Sequence, residues 1–325
     1  MKHSRAIDQF IADRISQGQI NSPATERSYR SILDRHGEDI LNRDPRYVGR
    51  EDVKQTLRRW ANANTQRTAR SVLISFYDWC VEEGLRKDNP ARQTRRPKKR
   101  PTEVYRLTRS EAAALWAAAQ TVRETRAVGL MLGCGMRNAE VRHAQGRHFE
   151  RPDFVWISAD IAKGRRERYV PVIADLEETV AEIRAHVAAD HYVLPAQRFR
   201  DVPINRERVD LHTLPSSSQA LRTLVMDVAQ RAGISAHIHP HLLRHAFADH
   251  VAKYAGMRNA QFLLGHATVA TTETYVGRPS LDELAAAVSG FGFRTPVLPL
   301  SEEGVSPGEA TTGIEPVYTA LQAAA

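Results

Sequence analysis

Cysteine is nearly absent from this sequence. Cys80 and Cys134 are the only two among 325 residues, and they stand far apart. Such a pair has neither the close spacing of a thiolate metal site nor the cysteine density of a disulfide-bonded secreted domain. We therefore expect both thiols to be reduced and buried, in a protein of a reducing cytosol.

Long apolar runs are absent as well. No stretch approaches the roughly 18 apolar residues of a membrane-spanning helix, and the polar opening residues, 1–5, predict no signal peptide. We therefore expect no membrane partner. The length of 325 residues and the hydrophobic fraction of 42% are ordinary for two globular domains, each with its own core.

Lysine is scarce in an otherwise basic chain. Only seven of the 46 basic residues are lysine, and the formal net charge is +8 with an isoelectric point near 9.7. This charge predicts a polyanionic partner, and nucleic acid is favoured over membrane because no basic amphipathic helix stands out. Arginine suits phosphate geometry, although a GC-rich coding bias produces the same excess of arginine.

Residues 1–90 show the apolar spacing of four short helices. Ser22 and Pro23 are residue types expected at a helix start, and an apolar stripe at residues 72–80 marks a buried face. We predict a small helical bundle. Arg67 and Arg70 flank that stripe, and they form either a solvated basic face or part of a DNA-binding surface.

Residues 91–104 predict a linker. The segment is rich in Arg, Lys and Pro, and Val104 is its one large apolar residue, so it cannot bury a core of its own. It is either a solvated tether or a tether that also lies along a phosphate backbone. Its candidate DNA-binding residues are Arg95, Arg96, Lys98, Lys99 and Arg100.

A second domain is predicted at residues 105–290. Its first helix starts with a capping box at residues 108–111. Two glycines then interrupt a later helical pattern. They place Arg137 in a turn, just before a new helix that contains Glu140.

Two strands follow in this domain, at residues 154–157 and 169–172, with a hairpin tip between them. The tip carries Lys163, Arg165 and Arg166, whose side chains would be held out from the sheet and able to reach a ligand. Helical patterns surround the hairpin. The predicted fold class is therefore mainly α, with a small β-sheet in the second domain.

The densest group of chemically capable side chains lies between His241 and Tyr275. It reads His241, then Arg244 and His245, then His266 after a Leu-Gly pair, then Tyr275. The group is set in apolar spacing typical of helices. A proton-transfer group, a guanidinium that binds phosphate and a phenol nucleophile are together suited to attacking a phosphodiester.

This pattern resembles the tyrosine recombinase (phage integrase) family. The family carries an Arg in a turn with an acid three residues later, matched by Arg137 and Glu140, and a hairpin lysine, matched by Lys163. Its second motif is His-x-x-Arg-His, then Leu-Gly-His, then a Tyr, as in the group above. The resemblance covers about residues 5–290. It implies a helical core-type DNA-binding domain followed by an α+β catalytic domain.

The resemblance also implies a catalytic set and a supporting pair. The catalytic set is Arg137, Lys163, His241, Arg244, His266 and Tyr275, and the supporting pair is Glu140 and His245. The two arginines are forked and permanently charged, so they suit the oxygens of one phosphate. Tyr275 is the nucleophile and needs a base, His241 is the general acid/base, and Lys163 protonates the leaving oxygen. His266 hydrogen-bonds the phosphate.

No cofactor is expected. The arginines take the place of a metal ion, and a phosphotyrosine conserves the bond energy without a nucleotide. The spacing of His241 and His245 is that of a zinc protease, but Leu242 stands where such a site needs glutamate. We therefore predict no metal.

The activity that the resemblance implies is site-specific recombination of double-stranded DNA attachment sites, in the cytoplasm of a bacterial host. It proceeds through a covalent 3′-phosphotyrosine and a Holliday junction. Four protomers would assemble on DNA, with the helix predicted at residues 281–288 docking onto a neighbour, and a directionality factor is an expected partner. The alternatives are a Xer-type chromosome-dimer resolvase, a type IB topoisomerase-like nicking enzyme and a non-catalytic DNA-binding regulator.

The last segment, residues 291–325, is rich in Pro, Gly, Ser, Thr and Glu, and it predicts disorder. Its end, residues 318–325, resembles the apolar, Ala-ended tags that Clp-type bacterial proteases bind. A short-lived protein suits a lysis–lysogeny switch. The tail therefore favours an integrase of phage or mobile-element DNA over a resolvase.

Replacing Ala324 and Ala325 with Asp tests this tag. If a Clp-type protease binds the tail, the charged end should lengthen the lifetime of the protein in cells, measured by its decay after translation is stopped. An unchanged half-life would contradict the tag.

Overall fold

The structure, a computed structural model, describes residues 2–98, 105–197, 210–265, 279–289 and 292–293. The chain divides into two compact units, Met1–Glu103 and Val104–Ala325. Each unit has its own buried apolar core. Within the described ranges, every helix is too short or too polar to cross a membrane.

The amino-terminal unit is helical over its described residues. Its helices are α1 (His3–Ser16), α2 (Pro23–Asp39), α3 (Arg50–Arg58) and α4 (Ala63–Glu82). The predicted helix start is confirmed, because the Ser22 side chain accepts a hydrogen bond from the Thr25 amide at 3.2 Å and Pro23 begins α2. The predicted apolar stripe of α4 is buried in the core of the bundle.

A polar group lies inside this core. His36 is fully buried, and its two ring nitrogens lie 2.7 Å from Thr56 Oγ1 and 2.7 Å from the Tyr77 hydroxyl. Burial lowers the pKa of His36 to about 3, so the ring is neutral at neutral pH. Because both nitrogens have partners, the imidazole is buried without an unsatisfied polar atom.

The start of the predicted linker packs against α4. Ala91 and Thr94 are buried, and Arg70 donates from Nε to Thr94 Oγ1 at 3.0 Å and from Nη2 to the Thr94 carbonyl at 2.8 Å. Arg67 Nη1 donates to the Pro97 carbonyl at 3.1 Å. Arginines of α4 therefore bind backbone carbonyls at the start of this segment, while Arg95, Arg96 and Lys98 stay exposed. The role of the segment as a linker stays a prediction.

The carboxy-terminal unit is mainly helical over its described residues. Its helices are α5 (Arg109–Ala117), α6 (Val122–Gly133), α7 (Asn138–His143), α8 (Glu177–His186), α9 (Ser218–Arg231), α10 (Pro240–Leu264) and α11 (Leu281–Val288). Strands β1 (Phe154–Ile157) and β2 (Arg168–Pro171) pair antiparallel, with Ile157 opposite Arg168. The predicted fold class, mainly α with a small β-sheet, is confirmed.

Helix α6 lies at the centre of this unit's core. Its residues 127–133 are all buried, and it packs against α5, α9 and α10. Two small residues allow the close packing, because a Cβ added at Gly129 or Gly133 would lie 3.0 or 3.3 Å from the Leu176 side chain. The helix is thus a buried support for the turn that follows it.

Strand β2 begins one residue earlier than predicted. Alternate side chains of a strand face the same side, so Arg168 is buried together with Val170, while Tyr169 between them is exposed. A buried guanidinium is costly unless it is paired. Arg168 must therefore have an acidic partner inside the unit.

Helix α11 forms at the predicted residues. Its Leu284 and Val288 are buried in the core of the same unit, and the helix packs against α10 and β2. These two apolar side chains are therefore buried by the helix's own chain. Docking of the helix onto a neighbouring protomer stays a prediction.

Gly135 allows the turn after α6 to lie against α10. Its φ is +58°, a region that residues with a Cβ disfavour. An added Cβ would lie 2.3 Å from the Phe247 ring, well inside van der Waals contact. Glycine at this position therefore lets the chain bring Arg137, two residues later, close to α10.

The variant Gly135→Ala should be clearly less stable than the wild type. Left-handed backbone costs about 1 kcal/mol, and the overlap with Phe247 adds about 1–3 kcal/mol. Gly233→Ala is the matched control, because Gly233 has φ +72° and no atom within 4 Å of an added Cβ. Urea unfolding of both variants measures the difference. Equal losses of stability would contradict the contact with Phe247.

Candidate active site

The first predicted motif forms as expected from its sequence. Arg137 follows the Gly135 turn as the N-cap of α7, and Glu140 lies in the first turn of that helix. Glu140 Oε2 accepts a hydrogen bond from the Arg137 amide at 2.8 Å, and Oε1 accepts from Arg137 Nη1 at 2.8 Å. The i,i+3 spacing that the sequence shows thus places the carboxylate where it accepts from the N-cap amide, as in one half of a capping box, and also holds the arginine side chain.

The second predicted motif reaches the same place from α10. Arg244 is buried. It donates from Nη1 to the Gly135 carbonyl, and from Nη2 to the Leu264 carbonyl at 2.8 Å. Its Nη1 lies 3.8 Å from Glu140 Oε2. Arg137 and Arg244, more than a hundred positions apart in the chain, therefore flank one carboxylate.

A third arginine, which the sequence analysis did not single out, completes the group. Arg168 at the start of β2 donates from Nη1 and Nη2 to the two oxygens of Glu140, at 3.1 and 2.7 Å. Its Nε donates to the Leu263 carbonyl at 2.8 Å. The signal in the sequence was an arginine two positions before Val170 on the buried side of a strand. It was missed because the strand was predicted to begin at Tyr169.

We call Glu140, Arg137, Arg168 and Arg244 the arginine cluster. Burial alone would raise the pKa of Glu140, but the charge and hydrogen bonds of Arg168, then the charges of Arg244 and Arg137, lower it to about 2. Burial and the neighbouring Arg137 lower the pKa of Arg244, while Glu140 opposes that shift. The cluster therefore holds one negative charge among three positive ones, and the net excess is positive.

The two described histidines of the second motif lie on the first turns of α10. His241 keeps an exposed face and His245 is half-buried. Partial burial lowers the pKa of His241, and the nearby His245 and His239 lower it further. Burial also lowers the pKa of His245, although Asp249 one turn later opposes the shift. Both rings are therefore mainly neutral at neutral pH, and a neutral imidazole can accept a proton.

Lys163 lies in the turn between the strands and is exposed, as are Arg165 and Arg166 beside it. The turn ends five residues later at Arg168, whose side chain is fixed to Glu140. Five residues span at most about 18 Å, so the backbone of the lysine lies within that distance of Arg168. His266 and Tyr275, the last two members of the predicted catalytic set, lie outside the described residues.

In the part of the chain that the structure describes, there is no group of three or more His, Cys, Asp or Glu side chains placed to hold a metal ion. His241 and His245 are four positions apart on α10, and the arginine cluster lies beside them. The described residues of this region are thus suited to bind an anion and not a cation, because guanidinium groups outnumber carboxylates here.

Comparison with known proteins identifies the class. The model of the phage integrase family matches residues 105–279, more than half of the chain. The chain belongs to the phage integrase family, whose members are the tyrosine recombinases, enzymes of DNA strand transfer. The matched region contains the whole arginine cluster and the predicted catalytic set.

Curated relatives agree with this assignment. Tyrosine recombinase XerD of Xanthomonas axonopodis pv. citri is 32% identical over 249 residues, which cover 70% of this chain and 79% of the relative. Tyrosine recombinase XerD of Ralstonia nicotianae is 31% identical over 232 residues, which cover 69% and 73%.

Solved structures share the fold. The lambda integrase dimer bound to a COC' core site has a TM-score of 0.67 at 17% identity, and the match covers 86% of this chain and all of that one. The Tn1549 transposon integrase in complex with circular intermediate DNA has a TM-score of 0.59 at 16% identity, with 87% and 99% covered.

The variant Glu140→Gln should be less stable than the wild type by about 3 kcal/mol at neutral pH, because three guanidiniums lose their shared carboxylate. The folded-state pKa of Glu140 is below its usual 4.5, so its contribution is present above pH 4.5 and is lost as the pH falls toward 2. Urea unfolding at neutral pH and in acid should therefore show a difference that shrinks in acid.

Glu182→Gln is the control for this experiment. Glu182 pairs with Arg126 at 2.7 Å but keeps 29% of its side chain exposed, so its loss should cost about 1 kcal/mol or less. A Glu140 variant that is no less stable than the Glu182 variant would contradict the importance of the cluster.

Proposed function

We propose that the protein is a site-specific DNA recombinase that cuts and rejoins DNA through a covalent 3′-phosphotyrosine on Tyr275. The observation that carries the proposal is the arginine cluster, in which Arg137 and Arg244 flank Glu140 from distant parts of the chain. Membership of the phage integrase family supports the same reaction.

In this proposal Arg137 and Arg244 bind the non-bridging oxygens of the scissile phosphate. Their guanidinium planes match phosphate geometry and are positively charged at neutral pH. Glu140 neutralises part of the mutual repulsion of the arginines, so they can be held together before DNA arrives. A site assembled in advance stabilises the charge of the transition state without reorganising during the reaction.

The proton transfers balance the bond changes. The Tyr275 oxygen forms a bond to phosphorus while its proton passes to the neutral ring of His241. The bond between phosphorus and the deoxyribose 5′ oxygen breaks, and that oxygen takes a proton from Lys163. His266 hydrogen-bonds the phosphate, and His245 supports His241 from the same helix. Attack of a 5′ hydroxyl on the phosphotyrosine reverses these steps.

The chemistry of this cycle needs neither ATP nor a metal ion. The phosphotyrosine conserves the energy of the phosphodiester for rejoining, and the arginines supply positive charge at the phosphate. We propose that four protomers act on two DNA sites and exchange one strand pair at a time through a Holliday junction. A closed ring of identical protomers requires head-to-tail contacts.

DNA binding is proposed along the basic residues of both units. Arg95, Arg96 and Lys98 are exposed, as phosphate contacts require, and Lys99 and Arg100 follow them outside the described residues. Arg165 and Arg166 are exposed beside Lys163. Arg67 and Arg70 contact the protein's own backbone, so their effect on DNA would come partly through the segment that they hold.

For the biological role we propose integration of phage or mobile-element DNA, with a directionality factor and a Clp-type protease as partners. A chromosome-dimer resolvase is the second candidate, because the curated relatives above are XerD recombinases. The two roles differ in their DNA sites. Deletion of the gene should leave chromosome segregation normal if the protein is an integrase, and should produce filamentous cells with unresolved chromosomes if it is a resolvase.

The variant Tyr275→Phe tests the reaction. The probe is a DNA duplex that the wild-type protein selects by binding from a randomised pool. A nick is then placed in this duplex so that the covalent product is trapped. We call it the selected duplex. The variant should bind the selected duplex with unchanged affinity and form no denaturation-resistant adduct, because the phenol oxygen is missing.

The matched control is Tyr254→Phe. Tyr254 lies on α10 with 46% of its surface exposed, and the variant should form the adduct at the wild-type rate. A covalent adduct with Tyr275→Phe would overturn the assignment of the nucleophile. Relaxation of supercoiled plasmid without Holliday junctions would point instead to a topoisomerase-like nicking enzyme.

A further inference from the structure

We propose that Arg168 is a positioning residue of the strand-transfer reaction, which fixes Glu140 to the end of α10 and so holds Arg137 and Arg244 in place. This inference rests on the proposed function, because Arg168 acts through Glu140 and the two arginines beside it. It adds to the reaction a positioning residue from the sheet that is not expected to touch DNA.

Arg168 uses its guanidinium on two different elements. Nη1 and Nη2 donate to the two oxygens of Glu140 on α7, at 3.1 and 2.7 Å, and Nε donates to the Leu263 carbonyl on α10 at 2.8 Å. The side chain is only 7% exposed. In water-excluded surroundings such charge-assisted hydrogen bonds are strong and directional, so the distance between α7 and the end of α10 is fixed.

The end of α10 requires such a partner. The last carbonyls of a helix lack donors from within the helix. Arg168 supplies a donor to the carbonyl of Leu263, and Arg244 supplies one to the carbonyl of Leu264. The two arginines therefore bind successive carbonyls while both flank Glu140.

Gly265 makes this contact tight. Its φ is +63°, and an added Cβ would lie 3.3 Å from Arg168 Cδ. The stem of Arg168 thus lies against the glycine that ends α10. Gly265 directly precedes His266 in the sequence, so Arg168 lies against the residue that comes before that histidine.

The position of Arg168 on β2 connects a third segment. The strand pairs Arg168 with Ile157, which fixes its backbone, and the turn that carries Lys163 ends at this strand. One guanidinium thereby joins the strand beside the lysine turn, the helix of Glu140 and the end of α10. Lysine could not replace it fully, because an ammonium lacks the planar fork that binds a carboxylate and a carbonyl together.

The test compares Arg168→Gln and Arg168→Lys with the wild type on the selected duplex. We measure the single-turnover rate constant of adduct formation with all DNA bound, and separately the Kd. For Arg168→Gln the rate constant should fall about 100-fold, as for a misplacement of about 1 Å. The Kd should stay the same, because other residues bind the DNA. The rate constant of Arg168→Lys should lie between those of the wild type and Arg168→Gln.

Arg126→Gln is the matched control. Arg126 makes a similar set of bonds with a different carboxylate: it donates to both oxygens of Glu182, at 2.8 and 2.7 Å, and to the Val193 carbonyl at 2.9 Å. Its loss should also lower the free energy of unfolding, but the rate constant per folded molecule should equal that of the wild type.

Each outcome has a clear meaning. A wild-type rate constant in the folded Arg168 variants, or an equal loss in the Arg126 variant, would overturn the positioning role. If Arg168→Gln does not fold, the Lys variant decides between these results. Failure of the wild type itself to form an adduct through Tyr275 would instead overturn the proposed function.

Discussion

A buried carboxylate has to be surrounded by positive charge, and in this protein that requirement organises the catalytic unit. Glu140 has no exposed surface, and a carboxylate in such a place is stable only when cations and hydrogen-bond donors offset the lost hydration. Arg137, Arg168 and Arg244 supply them from α7, β2 and α10. Three elements that are distant in sequence are therefore held at one point.

The same constraint explains how cations can be gathered before the substrate is present. Three guanidiniums close together repel one another, and burial lowers the pKa of Arg244 further. Glu140 offsets part of that repulsion and leaves an excess of positive charge, which an anionic phosphate can complete. Two glycines make this arrangement possible. The backbone at Gly135 lies against the Phe247 ring, and the backbone at Gly265 lies against the Arg168 side chain. A Cβ at either position would displace that side chain.

Local features of this site were predictable from sequence, because their causes are local. The i,i+3 spacing of Arg137 and Glu140, the glycine turn before them and the amphipathic start of α10 each express a preference of a few neighbouring residues. The fold class followed from the same patterns. The bounds of α11 were also correct, since a capping residue and an apolar stripe define them.

The missed features depend on contacts that are distant in sequence. Arg168 is an ordinary basic residue in a basic turn until the strand register places it inward, opposite Ile157. The predicted start of β2 was one residue late, so Arg168 was assigned to the turn and its alternation with the buried Val170 was not considered. Likewise, composition marked residues 91–104 as a tether, because it does not show that Arg70 of α4 binds the backbone at Thr94.

Glu140 and Arg168 are expected to act as one unit in holding the site. A double-mutant cycle measures their coupling, with single-turnover rate constants for the wild type, Glu140→Gln, Arg168→Gln and the double variant, each corrected for the folded fraction. If the residues act as a unit, the double variant should be no slower than the slower single variant. Losses that multiply would show instead that the two residues act independently.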